Sequence, residues 1–543
     1  MSIGETGGSP AAAPELFTRK ATGLVREGRT VDALFYNVMW SSVALTFAFF
    51  WLLYSFYYNG SSAILAFLIA AALGLPGAFL YAMLSQIMPR TGGDYVFNSR
   101  ALHPSIGFAA NASFCFWLAV VYGVYTTYFA TYGIGAFSHM MAGYTGSSGW
   151  LSFGEWFSTE AGLFITGTVA VLISAGVFVL GGVRLFFRLQ VGAFVLYMLG
   201  AFLLPVLIGL FGSEAGFISN FNDYASNLGV GNAFGAMQHS ATEAGFVQSG
   251  FDFEATLKSV SVFWFIFGFI YSSNYFAGEI RLKKRTHMLS IPGAVAVAVV
   301  ALLLLTPTFT GVVSYATNGQ FGFADPAAYG FAGAPAYPEL IAIASGSAVW
   351  GTIVILGFSV GLLIWLPQTM MLISRSMFAW SFDRIMPERL SYVEPRSHSP
   401  IYAIAIVSLL AIASTAIYAF TEWFSTLSVL LGLSLTLLVT AFSGVALPFT
   451  QPAMVENSPF NRRVAGVPLL SLVGGLAVLG FGGAIAILLW DPGSGTSLSA
   501  NPGKLELAIL VYVVAFAVYF VSRTIRRSQG IDIELAHTEL PPD

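Results

Sequence analysis

The chain has 543 residues, of which 56% are hydrophobic and only 9% charged, against roughly 25% charged in soluble domains. No water-soluble core could hide so much apolar surface, so the composition predicts an all-α integral membrane protein with the lipid bilayer as its surroundings. A net charge of −3 without a basic, aromatic-interleaved run gives no sign of a nucleic-acid partner, and the one cysteine, Cys115, excludes an intrachain disulfide or a cysteine-based metal site.

Residues 1–32 are polar and then basic, lack the apolar core of a signal peptide, and are expected to form a tail. Apolar runs of about 20 residues, the length that crosses a bilayer, predict helices near 33–57, 62–88, 106–137, 161–181, 190–212 and 259–279. Further runs follow near 290–315, 341–378, 400–420, 424–449, 467–490 and 504–523, about twelve transmembrane helices in all. The loop 138–160 is expected to hold a short interfacial helix around Trp150–Phe157. The longer loop 213–258, rich in Gly, Asn and Ala, reads either as a cover over the outer mouth or as a tolerated insertion. The polar segment 524–543 is expected to be a second tail, disordered after Arg527.

Loop charges test this count. With the N-terminus inside, all of the 23 Lys and Arg except Lys258 and Lys504 fall on the cytoplasmic side, the bias that the positive-inside rule predicts. A multi-pass protein of the cell (plasma) membrane with both termini cytoplasmic is therefore expected.

Charge is absent from the middles of the predicted helices. Asp32, Asp94, Glu279 and Asp383 read as helix-end residues on the cytoplasmic side. Intramembrane carboxylates mark proton relays, and none is predicted. The six histidines show no metal-ligand spacing, and no clustered acid–base set suggests an enzyme. A polar solute would then be held by backbone, at a helix broken near the midplane whose free N–H and C=O groups face opposite charges.

Four stretches carry a family resemblance. Pro89-Arg90-Thr91-Gly92-Gly93-Asp94-Tyr95 is a proline-terminated helix followed by a tight glycine turn. Phe263–Phe269 is an aromatic helix containing Gly268-Phe269, followed by Ala277-Gly278-Glu279-Ile280, a basic loop and Ile291-Pro292. Ser374-Arg375 precedes Asp383-Arg384-Ile385-Met386-Pro387, and Val31-Asp32-Ala33 opens the first helix. In this order the chain resembles the amino acid–polyamine–organocation (APC) permeases. The resemblance implies a LeuT-type fold: a 5+5 inverted repeat over 33–212 and 259–449, plus two C-terminal helices over 467–523. It also implies a secondary transporter moving amino acids by alternating access, without a cofactor.

In such permeases the first and sixth helices unwind at the substrate. The corresponding residues are Trp40, Ser41, Ser42 and Val43, and then Phe267, Gly268, Phe269, Ile270 and Tyr271, with Trp264 as a gate. Helix one lacks the family's usual glycine break, and Ser41-Ser42 reads either as a break or as an ordinary helix with back-bonded serines. Gly268 reads either as a substrate contact or as close helix packing. Gly92, Gly93, Tyr95, Glu279, Arg375 and Asp383 form the cytoplasmic motif. Coupling to sodium or to a proton, exchange and uniport stay open, as do any metal and the oligomeric state. A nucleobase or polyamine carrier and a non-transporting sensor are the rival readings.

Overall fold

The computed structural model describes residues 23–281, 285–422, 429–499 and 501–537. Lys283, Lys284, residues 1–22 of the N-terminal tail and the expected start of the tenth helix at 424–428 lie outside the described residues. The described chain is built almost wholly from helices, because backbone in hydrocarbon must satisfy its own hydrogen bonds.

The first span is interrupted, as α1 (Thr30–Trp40) and α2 (Val43–Tyr57). Then come α3 (Ala63–Ile87), the short α4 (Asp94–Ala101) and α5 (Pro104–Tyr128). A π turn over Phe129–Gly135 carries α5 into α6 (Ala136–Thr145), and α7 (Ser148–Trp156) is a short helix where one was expected. The next helix, α8 (Glu160–Met198), continues through a π turn into α9 (Leu204–Phe211). At about 1.5 Å per residue, the 52 residues from Glu160 to Phe211 measure about 78 Å, more than twice the ~30 Å hydrocarbon core. Gly182 divides them: its φ is +62° and a Cβ there would lie 2.0 Å from the Ser397 carbonyl oxygen, so only glycine fits this turn. Among the described residues eleven helical stretches are long and apolar enough to cross a membrane, and this turn divides the longest of them.

Two helices follow on the surface, α10 (Glu214–Ser226) and α11 (Ala233–Glu243), before α12 (Phe253–Phe267) and α13 (Thr286–Thr310). Then α14 (Tyr315–Phe323) and α15 (Tyr337–Ala344) precede α16 (Ala348–Phe382). The chain closes with α17 (Ile401–Phe420), α18 (Val429–Thr450), α19 (Pro452–Glu456), a hairpin of β1 (Arg463–Val464) and β2 (Val467–Pro468), α20 (Leu469–Trp490) and α21 (Gly503–Ser528). Side-chain caps fix several starts: Ser62, Thr159, Ser213, Asp252 and Ser314 each accept from an N–H of the first turn.

The loop 213–258 is a packed layer. Phe217 and Phe221 of α10 meet Phe234 of α11, Phe321 of α14 and Phe331, and Asn318 of α14 donates to the Trp51 carbonyl of α2 at 2.9 Å. This cap lies on one face of the bundle, the far face. The opposite, basic face carries Arg100, Arg184, Arg281, Arg375 and Arg526, all engaged with acids or carbonyls. Both described chain ends lie there.

The expectation of a disordered C-terminal tail is overturned for residues 529–537. Ile533 is buried, Glu534 pairs with Arg523 at 2.7 Å, and His537 reaches the Tyr95 hydroxyl at 3.0 Å. One apolar anchor and two polar ones hold a segment whose composition alone is that of a loose tail.

Glycine lets the helices close in. A Cβ on Gly74 would lie 2.6 Å from the Phe267 carbonyl oxygen, and one on Gly480 2.1 Å from that of Leu73. These contacts set α3 between α12 and α20, in the small-residue manner of membrane helices.

Candidate functional site

The first span breaks at Ser41-Ser42. Ser41 still closes the last turn of α1, N–H to the Asn37 carbonyl at 3.0 Å and hydroxyl to the Val38 carbonyl at 2.8 Å. Ser42 then turns left-handed, φ +48° and ψ +50°, a conformation that costs an L-residue roughly 1–2 kcal/mol. Neighbouring spans clamp the break: the Trp365 indole donates to the Met39 carbonyl at 2.9 Å, and the Tyr197 hydroxyl accepts from the Ala44 N–H at 3.2 Å.

The sixth span ends its helix at Phe267, far short of the expected 279. The Gly268 N–H closes its last turn on the Trp264 carbonyl at 2.8 Å. The chain then runs through an irregular turn and two 3-10 turns, Ser272–Tyr275 and Ala277–Glu279. A Cβ on Gly268 would lie 2.7 Å from the Trp264 ring, so glycine here makes room for that indole.

Asn37 ties the two breaks together. Its amide donates to the Ser273 hydroxyl at 3.0 Å and its carbonyl accepts the Ser273 N–H at 2.9 Å. Around this junction several buried polar atoms have no protein partner among the described residues: Trp40 Nε1, Tyr271 Oη, Asn274 Oδ1 and Nδ2, Ser290 Oγ and Gln368 Oε1. Unpaired buried polar atoms are costly, and a polar ligand or water between the two breaks would satisfy these.

A cavity of about 360 Å³ lies on the α2 side of the break, lined by Thr46, Phe49, Tyr125, Phe265 and Trp365 among others. None of the nine expected substrate residues lines it. All nine are buried beneath it or beside it: Trp40 sits edge-on to Tyr125 at 6.5 Å, Phe269 lies 5.7 Å from Phe265, and Tyr271 stacks on Tyr81 at 4.0 Å. Tyr125, Trp365 and Phe265, with centroids 4.2 and 5.7 Å apart, form a floor between cavity and break. Trp264, expected as a gate, points the other way. Its indole donates to Ser434 of α18 at 2.9 Å and its ring meets Phe481 of α20. One residue later along a helix is a rotation of about 100°, which is why Phe265 faces the cavity instead.

The basic face is closed by the motif residues. Gly92 and Gly93 have φ of +119° and +52°. The Gly92 N–H donates to the Tyr275 carbonyl at 2.9 Å, and a Cβ on Gly93 would lie 2.8 Å from Asn274 Oδ1. Glu279 and Arg375 form a bidentate pair at 2.8 and 2.9 Å, both side chains fully buried. Asp383 accepts from Arg100 and from the Tyr95 hydroxyl, each at 2.8 Å. Asp32 accepts from Arg29.

The fourth acid expected at a helix end, Asp94, has no arginine beside its carboxylate among the described ion pairs. Asp94 is 1% exposed. Its partners are the hydroxyls of Tyr275 and of Thr440, the latter at 3.1 Å. The helix-end reading came from position along the chain alone. It concealed that α4 tucks wholly beneath its neighbours, with all eight of its residues buried.

Residues 30–516 match the model of a family described as amino acid permease. The chain belongs to that family. No curated relative matches this permease, so its substrate rests on its own residues. Sequence reasoning missed Asn37, Tyr125, Phe265 and Trp365. Asn37 had a signal, a carboxamide in an otherwise apolar helix; the aromatics had none, since 15% of the chain is aromatic.

Proposed function

We propose that this permease carries amino acids across the cell membrane by alternating access, with the basic face in the cytoplasm. The observation that carries this reading is the broken first span, whose halves meet the frayed end of α12 through Asn37. Such a junction brings opposite helix ends together without a charged side chain. The first turn of α2 offers N–H groups with no intrahelical partner; that of Ala44 is taken by Tyr197, and those of Val43 and Leu45 receive the carboxylate. The Trp40 carbonyl and the C-terminal carbonyls of α12 receive the ammonium, where the helix dipoles favour a cation. Trp40, Ser41, Ser42, Val43 and Phe267–Tyr271 thus surround the polar end of the solute. Tyr125, Phe265 and Trp365 cover its side chain and act as the outer gate. The aromatic surface favours an apolar or aromatic amino acid.

The 5+5 inverted repeat is supported by the position of the two breaks, each in the first helix of a set of five. The test is thermal stabilisation of purified protein by each amino acid, by nucleobases and by polyamines. A ligand at 100 times its Kd adds about 2.7 kcal/mol of stability. Stabilisation by nucleobases or polyamines alone, or counterflow in proteoliposomes with no amino acid, would overturn the substrate.

A further inference from the structure

Five acids are buried at the ends of the spans: Asp32, Asp94, Glu279, Asp383 and Asp491. Three are neutralised by arginine, through Arg29, Arg375 and Arg100. Asp491 is held by the hydroxyls of Tyr58 and Ser261 and by the Gly493 N–H, and it starts a 3-10 turn. Asp94 has hydroxyl partners only, and no cation pairs with it among the described residues.

Its surroundings place its two protonation states close in energy. Burial opposes the anion and pushes the carboxyl up to about 6, while the hydroxyl groups beside it pull the other way. The first turn of α4, where Asp94 stands, also favours the anion. The titratable groups facing it are four tyrosines and a cysteine: Tyr81 on α3, Tyr271 and Tyr275 on the unwound stretch, Cys115 on α5 and Tyr512 on α21. Arg100, on the same helix, is paired with Asp383.

Asp94 is also joined to the part that must move. Tyr275 belongs to the unwound stretch of the sixth span, whose Tyr275 carbonyl and Phe276 backbone bind the Gly92 and Thr91 backbone just before Asp94. Opening the basic face requires these contacts to part, and parting them admits water to Asp94. Closing the face returns the carboxylate to an apolar site, where taking up a proton on a carboxylate oxygen removes its charge. Tyr81, whose hydroxyl lies beside Asp94, stacks on Tyr271 of the unwound stretch at 4.0 Å.

We propose that Asp94 is the site at which this permease binds its coupling proton, taken up with the basic face closed and released to the cytoplasm when that face opens. This rests on the transport reading above. By linkage, a proton bound more tightly in the closed state favours that state in turn.

Two measurements test it. Infrared titration of purified wild type and D94N, between about pH 5 and pH 8, is expected to show a carboxyl band titrating near pH 6 that D94N lacks; identical titrations would overturn the proposal. Proteoliposomes are then loaded with an equimolar mixture of radiolabelled L-amino acids, for counterflow, or given an outside-acid pH gradient, for accumulation. Wild type is expected to accumulate amino acids several-fold with the gradient. D94N should retain counterflow, which also reports its folding, and lose the gradient-driven part, with D94E restoring some of it. Accumulation by D94N equal to wild type, or wild-type uptake indifferent to the gradient, would overturn the proton site and leave the transporter standing. Absence of counterflow in wild type would overturn the transport reading itself, and the proposal with it.

Discussion

Ser42 offers the sharpest test of the broken span. It holds φ +48°, its hydroxyl caps no N–H, and it is 3% exposed. Replacing it with glycine removes a left-handed penalty of roughly 1–2 kcal/mol and adds about 0.4–1 kcal/mol of unfolded-state entropy. The net expectation for S42G is a gain of about 0.5–1 kcal/mol and unchanged counterflow. S42V places a β-branched side chain in the same conformation and should drive the backbone toward a continuous helix over 30–57. The expected loss is 2 kcal/mol or more of stability, on the order of a bulky αL outlier, and transport at background. Apparent melting temperature in detergent and counterflow in proteoliposomes read both effects. A lower melting temperature for S42G, with S42V behaving as wild type, would refute a left-handed break at this position.

Other perturbations follow from named contacts. E279Q leaves the Arg375 guanidinium buried without its counter-charge and should cost about 3–5 kcal/mol, seen as poor expression or early melting; replacing both residues with apolar ones of similar volume should recover most of it. The raised Asp94 carboxyl binds more protons in the folded than in the unfolded protein between pH 3.8 and about 6. Stability from this group therefore falls as pH rises. Wild type should lose about 1 kcal/mol relative to D94N between about pH 5 and pH 7, measured by paired denaturation curves. F265A should remove the ring that floors the cavity and raise the half-saturation concentration for the transported amino acid at least several-fold. W264F loses one hydrogen bond, to Ser434, worth about 1 kcal/mol, and should leave that concentration unchanged. The reverse ranking would restore Trp264 as the gate.

The spans were legible because a bilayer writes them into the sequence twice, as apolar length and as loop charge. Ser41-Ser42 was legible only as a pair of alternatives, since serines sit comfortably in a regular helix; the left-handed Ser42 decides between them. Rotation about a helix axis was not legible. A membrane helix is apolar on every side, so nothing in Trp264-Phe265 tells which ring faces the cavity. Lateral burial was hidden for the same reason. Asp94 and Asp383 both look like interfacial acids, yet one is matched to an arginine and the other is not. That difference comes from α4 lying against α5 and α18, contacts between residues far apart in the chain.

The cap on the far face has a practical consequence. Through Asn318 and Trp51 it is fastened to α2, the half of the broken span that follows the left-handed Ser42. An antibody fragment raised against the exposed faces of α10 and α11 would thus hold more than a passive epitope. Gripping the cap would act as a brake on α2 and arrest the carrier in one conformation. The same fragment would supply the asymmetric bulk outside the detergent belt that single-particle imaging of so small a membrane protein needs.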